Sequence, residues 1–303
     1  MKYLVIGAGG TGGCIAAYLK RAGKDVSIIA RGRHLEAIKN NGLKIENPEE
    51  TFTVSVEAET MENYEGSADV IFVCVKGYSL EDTVPFIRKV ANTDTIVIPI
   101  LNIYGTGGRL QRELPGILVT DGCIYVASQI KEPGVIAMNG TIFRVVFGVR
   151  TPHDFRDELK TVEADLKDSG IVPLLSNDIR RDALKKFAYV SPAAACGVYY
   201  DVCADKMQVP GEIRDCFAAL IGEIVTLSKA MDIDFGEDMV ATNLKILDNL
   251  APDASTSMQR DIWAGRESEI DGLIFSVVRM GEEYGVSLPT YEKIADEMHQ
   301  RCF

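Results

Sequence analysis

The opening stretch, MKYLVIGAGGTGG, constrains the fold of this chain more than any other. Residues 2–6 are, after one lysine, aromatic, aliphatic or β-branched, as expected of a strand buried on both faces. The strand runs into a glycine cluster in which Gly7, Gly9 and Gly12 have the spacing G-x-G-x-x-G. Residues 14–19 then read as a helix, so the glycines occupy a strand-to-helix turn, the context in which this spacing cradles a dinucleotide. Gly7 permits the tight turn, Gly9 lets a pyrophosphate approach the backbone, and Gly12 lets helix and strand close on each other. Gly10 belongs to the same phosphate-facing turn, where the first N–H groups of the helix have no intrahelical acceptor.

A second strand over 25–30 follows at the distance a βαβ unit needs, and it ends in Arg31-Gly32-Arg33. A site for NAD usually places Asp or Glu there to hold a ribose hydroxyl. Guanidinium groups suit a 2′-phosphate instead, because their paired donors match phosphate oxygens. The expected cofactor is therefore NADP(H), held by Gly7, Gly9, Gly10, Gly12 and Arg31. Arg33 reads equally well as part of a solvated turn.

A chain of 303 residues suits two domains, each with its own core. Its formal charge of −12 argues against nucleic acid as a partner, since phosphate neutralisation needs concentrated Lys and Arg. An acidic protein can still hold a basic pocket. The seven cysteines form no C-x-x-C and do not cluster with the three histidines, which predicts reduced thiols and neither a disulfide framework nor a metal centre. With strand one beginning at the first residues and no apolar run of membrane-spanning length, the expectation is a cytoplasmic protein without a membrane partner.

After the arginine turn, 34–40 reads as a short helix, and 42–46 and 51–58 as two half-exposed strands. Residues 69–75 form a buried strand that stops at Lys76. A helix over 79–90 and a strand over 95–101 follow, the latter delivering Asn102. Strands are expected at 116–120 and 122–127, a hairpin-like pair at 134–138 and 144–148, a helix at 154–168 and a strand at 171–175. This alternation predicts a Rossmann-type, doubly wound and mainly parallel sheet. Beyond Ser176 helical periodicity takes over, at 177–195, 210–230, 237–250, 266–284 and 289–300. The reading is a sheet domain over 1–176 and an all-α domain over 177–303, whose faces also offer a surface for a homodimer.

Lys76 and Asn102 are candidate site residues because both follow strands at the carboxyl edge of the sheet, where ligands of α/β folds gather. Asn102 before Tyr-Gly also fits a plain turn. Lys186 shares a helix face with Val190, Ala193 and Ala194. It can serve as a general acid, or it and Lys185 can be an exposed pair continuing Arg180 and Arg181. The segment 254–259, which holds Ser257, reads as a loop with an N-cap before a helix, and Glu269 as an acid in a first turn.

These segments resemble the ketopantoate reductase family, NADP-dependent enzymes that reduce 2-dehydropantoate to pantoate. The likeness runs through GAGGTGG at 7–13, Arg31, CVKGY at 74–78 and LNIYG at 101–105. It continues through KKFAYVSPAAA at 185–195 and STSMQRDIWAGRESEID at 255–271. The resemblance implies Lys186 as general acid, and Glu269 as the group that orients it or takes the substrate hydroxyl. It also implies Ser257 on the substrate carboxylate, Asn102 holding substrate near the nicotinamide, and Lys76 by the cofactor ribose and phosphate. Val190, Ala194 and Ala254 stand where the family pattern has asparagines, which predicts a weakened or redirected choice of substrate. The expected partner is a small 2-oxo acid: ketopantoate or a close relative, with a different 2-oxo or 2-hydroxy acid as the alternative. A protein that senses NADP(H) without turnover is the reading from another class.

Overall fold

The computed structural model describes residues 1–302, except for the side chain of Cys302. The chain begins β1 (Lys2–Ile6), α1 (Gly10–Arg21), β2 (Asp25–Ile29), α2 (Gly32–Asn41), β3 (Leu43–Glu46), β4 (Thr51–Val54), β5 (Glu57–Glu59) and β6 (Val70–Val73). It continues α3 (Val84–Val90), β7 (Ile96–Pro99), α4 (Thr106–Glu113), β8 (Leu118–Val119), β9 (Asp121–Glu132), β10 (Val135–Gly148), α5 (Glu158–Asp168) and β11 (Val172–Leu175). Only helices follow among the described residues: α6 (Ile179–Tyr199), α7 (Ala204–Gln208), α8 (Glu212–Ala230), α9 (Met239–Asp248), α10 (Ser257–Trp263), α11 (Ser276–Tyr284) and α12 (Pro289–Cys302). Two compact units result, one of residues 1–101 and 105–179, the other of 102–104 and 180–303.

In the first unit, β1 sits inside a six-stranded sheet of order β5-β2-β1-β6-β7-β8, and every pairing in it is parallel. Successive side chains of a strand point to opposite faces, and here both faces are covered. Tyr3 and Val5 enter one apolar core with Val70, Phe72, Ile96 and Ile98, while Leu4 and Ile6 enter another with Ile71, Val73 and Val97. The chain passes from β1 to β2 on one side and later to β6 on the other, so the strand order reverses at β1. Such a reversal opens a crevice at the carboxyl ends of the strands.

A second sheet of order β11-β10-β3-β4, with β9 paired to β10, packs in the same unit. It corrects several local expectations. The runs at 134–138 and 144–148 do not form a hairpin with each other. They are halves of one strand, β10, interrupted by an irregularity between Met138 and Phe143, and the hairpin is β9 with β10. Asn139-Gly140 imitates a two-residue hairpin loop, and Gly140 does take φ +90°, yet β9 runs unbroken beside it. The expected strand at 51–58 divides between the sheets, β4 pairing antiparallel with β3 and β5 parallel with β2. The helix expected at 79–90 opens as two short 3₁₀ turns before α3, and that expected at 266–284 becomes helical only at Ile270, passing through a π turn at Asp271–Phe275.

The second unit has its own core, in which Leu184, Phe187, Phe217, Leu220, Ile224, Leu273 and Tyr291 are buried together. Pro192 lies inside α6 and can donate no hydrogen bond to the Ala188 carbonyl one turn earlier. The Asn243 side-chain amide, 1% exposed, donates to that carbonyl at 2.9 Å instead. Among the described residues the six cysteines 14, 74, 123, 196, 203 and 216 are free thiols. The thiol of Cys302 lies outside the described residues. No described helix is long and apolar enough to cross a membrane, and no group of His, Cys, Asp and Glu among the described residues could hold a metal ion.

Candidate active site

The glycine turn lies at the crevice. Gly7 donates its N–H to the Ile29 carbonyl of β2, and Cys74 donates to the Ile6 carbonyl of β1, which fixes the turn between its neighbours. Gly7 has φ +103°, a region that excludes most L side chains. Gly12 faces the turn so closely that a Cβ there would lie 2.0 Å from the Gly7 carbonyl oxygen and 2.9 Å from Cys74 Cβ. At Gly10 a Cβ would meet the Ser128 carbonyl of β9 at 2.6 Å, so the second sheet passes directly over the start of α1. Gly9, the N-cap of α1, differs from these three: a Cβ there would find no atom within 4 Å. That open side, next to the N–H groups of the helix start that have no intrahelical acceptor, leaves backbone donors approachable by a pyrophosphate.

Arg31 is the N-cap of α2, two residues beyond β2, and it and Arg33 are exposed. No carboxylate among the described residues pairs with either. Lys76 is half-buried and precedes the 3₁₀ turn Gly77–Ser79 after β6. Gly7, Gly9, Gly10, Gly12, Arg31 and Lys76 thus all belong to the first unit. A nicotinamide dinucleotide fits these residues.

Asn102 belongs to the second unit, although it follows β7 by three residues. The neighbouring Ile103 is buried in that unit's core against Gly272, where a Cβ would lie 2.2 Å from Ile103 Cδ1. So anchored, Asn102 accepts a 2.7 Å hydrogen bond through Oδ1 from Nζ of Lys186. Lys185 instead pairs at the surface with Glu237 at 2.8 Å. The two adjacent lysines therefore have different surroundings, one an exposed ion pair and the other half-buried and aimed at an amide.

Glu269, 5% exposed, stands just before the π turn, and its carbonyl accepts from the Leu273 N–H at 3.0 Å. The Leu273 carbonyl accepts from Ser191 Oγ of α6 at 2.7 Å. With its only proton so used, Ser191 accepts from the Tyr291 hydroxyl at 2.6 Å. Burial pushes the Tyr291 phenol well above its ordinary range, so it stays a donor. Ser257 begins α10 behind a capping box in which Thr256 and Gln259 satisfy each other's backbone N–H. The buried Gln259 side chain lies against Gly197 of α6, where a Cβ would come within 2.6 Å of it, and donates to the Val202 carbonyl at 2.8 Å. The Ser257 hydroxyl, half-buried, bonds to no described residue. Of the three apolar departures, Ala194 has no exposed surface, while Val190 and Ala254 are partly buried against the same core.

Two polar residues of this framework escaped the sequence reading. Asn243 could have been sought only after placing Pro192 inside a helix. His34, read there as no more than a helix start, bonds the glycine turn.

The profile of the family described as "Ketopantoate reductase PanE/ApbA" matches residues 3–152, and that of its C-terminal part matches 178–301. The chain belongs to the ketopantoate reductase family. That family comprises pyridine-nucleotide-dependent oxidoreductases. Among its relatives, the 2-dehydropantoate 2-reductase of Aquifex aeolicus is 25% identical over 300 residues, covering 97% of this chain and 94% of that protein. The crystal structure of the 2-dehydropantoate 2-reductase of Porphyromonas gingivalis W83 superposes with a TM-score of 0.84 at 27% identity, over 98% of this chain and 99% of that one. A ternary structure of D-mandelate dehydrogenase with NADH and anilino(oxo)acetate has a TM-score of 0.90 at 21% identity, covering 99% and 98%, which shows a shared fold.

Proposed function

We propose that this ketopantoate reductase family member uses NADPH to reduce a 2-oxo acid to the 2-hydroxy acid, with Lys186 as the proton donor. The observation that carries the reading is the 2.7 Å bond from Lys186 Nζ to Asn102 Oδ1. It holds an ammonium group in one direction without neutralising it, since an amide oxygen takes a hydrogen bond but no proton at ordinary pH. When bound, the nicotinamide supplies the hydride to the carbonyl carbon. Lys186 gives its proton to the carbonyl oxygen as negative charge develops there, and solvent returns one to the amine. Asn102 keeps the amine oriented, Ser257 offers a free hydroxyl to the substrate carboxylate, and the buried Glu269 carboxyl orients Lys186 or takes the substrate hydroxyl. The exposed Arg31, with Arg33 beside it, supports the preference for a 2′-phosphate, and Lys76 is assigned to the cofactor ribose and phosphate.

Ketopantoate is the first substrate to test, as the name of the Aquifex relative suggests. A 2-oxo acid with a more apolar side chain is the second reading, favoured by Val190 and Ala254 and by the ligand of the D-mandelate dehydrogenase neighbour. NADPH oxidation measured with ketopantoate and with a panel of alkyl and aryl 2-oxo acids, each repeated with NADH, separates the two. In the Lys186→Ala variant, turnover on whichever substrate is accepted falls by about 10²–10⁴ while NADPH affinity holds. Undiminished turnover rejects the role given to Lys186. Tight NADPH binding with no turnover on any oxo acid would favour a sensor.

A further inference from the structure

His34 touches none of the groups assigned so far to substrate or cofactor, yet it joins three pieces of the first unit. Its Nδ1 accepts the N–H of Gly134 at 2.9 Å, and its Nε2 lies 2.9 Å from the Ala8 carbonyl oxygen. An Nδ1 that accepts carries no proton, so the neutral imidazole holds its hydrogen on Nε2 and donates it to Ala8. Gly134 is itself fixed, since its carbonyl accepts from Lys44 of β3 at 2.9 Å and a Cβ on it would meet Ala37 of α2 at 3.0 Å. The imidazole is therefore a strut between the β9–β10 turn and the second residue of the glycine turn.

We propose that His34 is a positioning residue for the dinucleotide, acting through the peptide between Ala8 and Gly9. In a trans peptide the C=O and the following N–H point in opposite directions. Holding the Ala8 oxygen toward α2 turns the Gly9 N–H to the other side of that peptide plane, available to a phosphate. His34 also lies one turn into the helix that Arg31 caps, so the same strut sets that helix start against the glycine turn. The inference rests on the nucleotide-binding reading above, and assigns within it a residue that touches the turn and not the nucleotide.

The test titrates NADPH and NADH into the intact protein and three variants, with thermal melting run in parallel. His34→Gln keeps a donor that can reach Ala8, His34→Asn keeps only an acceptor for Gly134, and His34→Leu keeps neither. The expected result is NADPH binding weakened about three- to tenfold in the Asn and Leu variants and restored to within about twofold in the Gln variant. The Gln and Asn proteins, each with one bond left, should melt alike, so the affinity difference between them is not one of stability. Should the Leu variant fail to fold, the Gln and Asn pair decides. NADPH binding equal in the Asn variant and the parent, or as weak in the Gln variant as in the Asn variant, overturns the inference alone. A parent that binds neither nucleotide removes the nucleotide-binding reading with it.

Discussion

The glycine turn of the first unit and the lysine–asparagine pair of the second are made from opposite materials. At the turn, the geometry depends on side chains that are missing. Gly7, Gly10 and Gly12 each sit where a single Cβ would strike backbone, and Gly9 sits where a Cβ would strike nothing. Around Lys186 the opposite holds: Asn102, Asn243, Ser191 and Gln259 each hold a place by a hydrogen bond made across the unit. Backbone sites are written in local spacing, whereas side-chain sites depend on residues that meet only after folding.

The sharpest way to break this contrast is Gly12→Ala. With a carbonyl oxygen 2.0 Å from the new methyl, β1 and α1 must separate. A loss of about 3 kcal/mol, or about 6–12 °C in melting temperature, is expected. An unchanged melting curve would mean that the turn tolerates side chains after all. Next in size is Asn243→Ala in the second unit, which strands the Ala188 carbonyl below Pro192. Urea unfolding should show a loss of about 1–3 kcal/mol, with NADPH affinity unaltered. Gly9→Ala sharpens the comparison from the other side. Its backbone, at φ −67° and ψ −174°, suits alanine, so melting should not move, while a methyl in the cradle weakens NADPH binding by about tenfold. Equal binding by parent and variant would show that no phosphate approaches there.

The smallest effect is acid sensitivity of the first unit. Burial holds the His34 imidazole below its ordinary value of 6.5, although its bond to the Ala8 carbonyl works the other way. The unfolded chain thus takes up the proton first, and the stabilising contribution of neutral His34 is complete above about pH 6.5 and fades as pH falls through the lower folded value. Melting temperatures measured from pH 7.5 down to about 5 should fall more steeply for the parent than for His34→Gln. Parallel curves would mean that His34 does not titrate differently in the fold.

What could be read in advance follows the same division. The buried strands β1, β6 and β7 announce themselves as unbroken apolar runs, and the glycine spacing marks its turn because each position has a separate steric reason. The runs at 134–138 and 144–148 read as two strands, yet they join as one because β9 supplies a continuous partner beside both. Ser257 lies in a stretch that reads as a loop with an N-cap, whereas the fold begins α10 there behind the capping box of Thr256 and Gln259. By contrast, spacing puts Lys186 on a face with Val190, Ala193 and Ala194 but leaves open whether it and Lys185 are an exposed pair. Their partners Glu237 and Asn102 come from elsewhere in the chain, 52 and 84 residues away.

The proline inside α6 carries a consequence for how such sequences can change. A helix with Pro192 needs a foreign donor for the Ala188 oxygen, and a buried amide at 243 is useless without an oxygen left vacant. Positions 192 and 243 should therefore be exchanged as a couple among relatives, and replacing Pro192 by a residue with an N–H should make the loss of Asn243 far easier to bear.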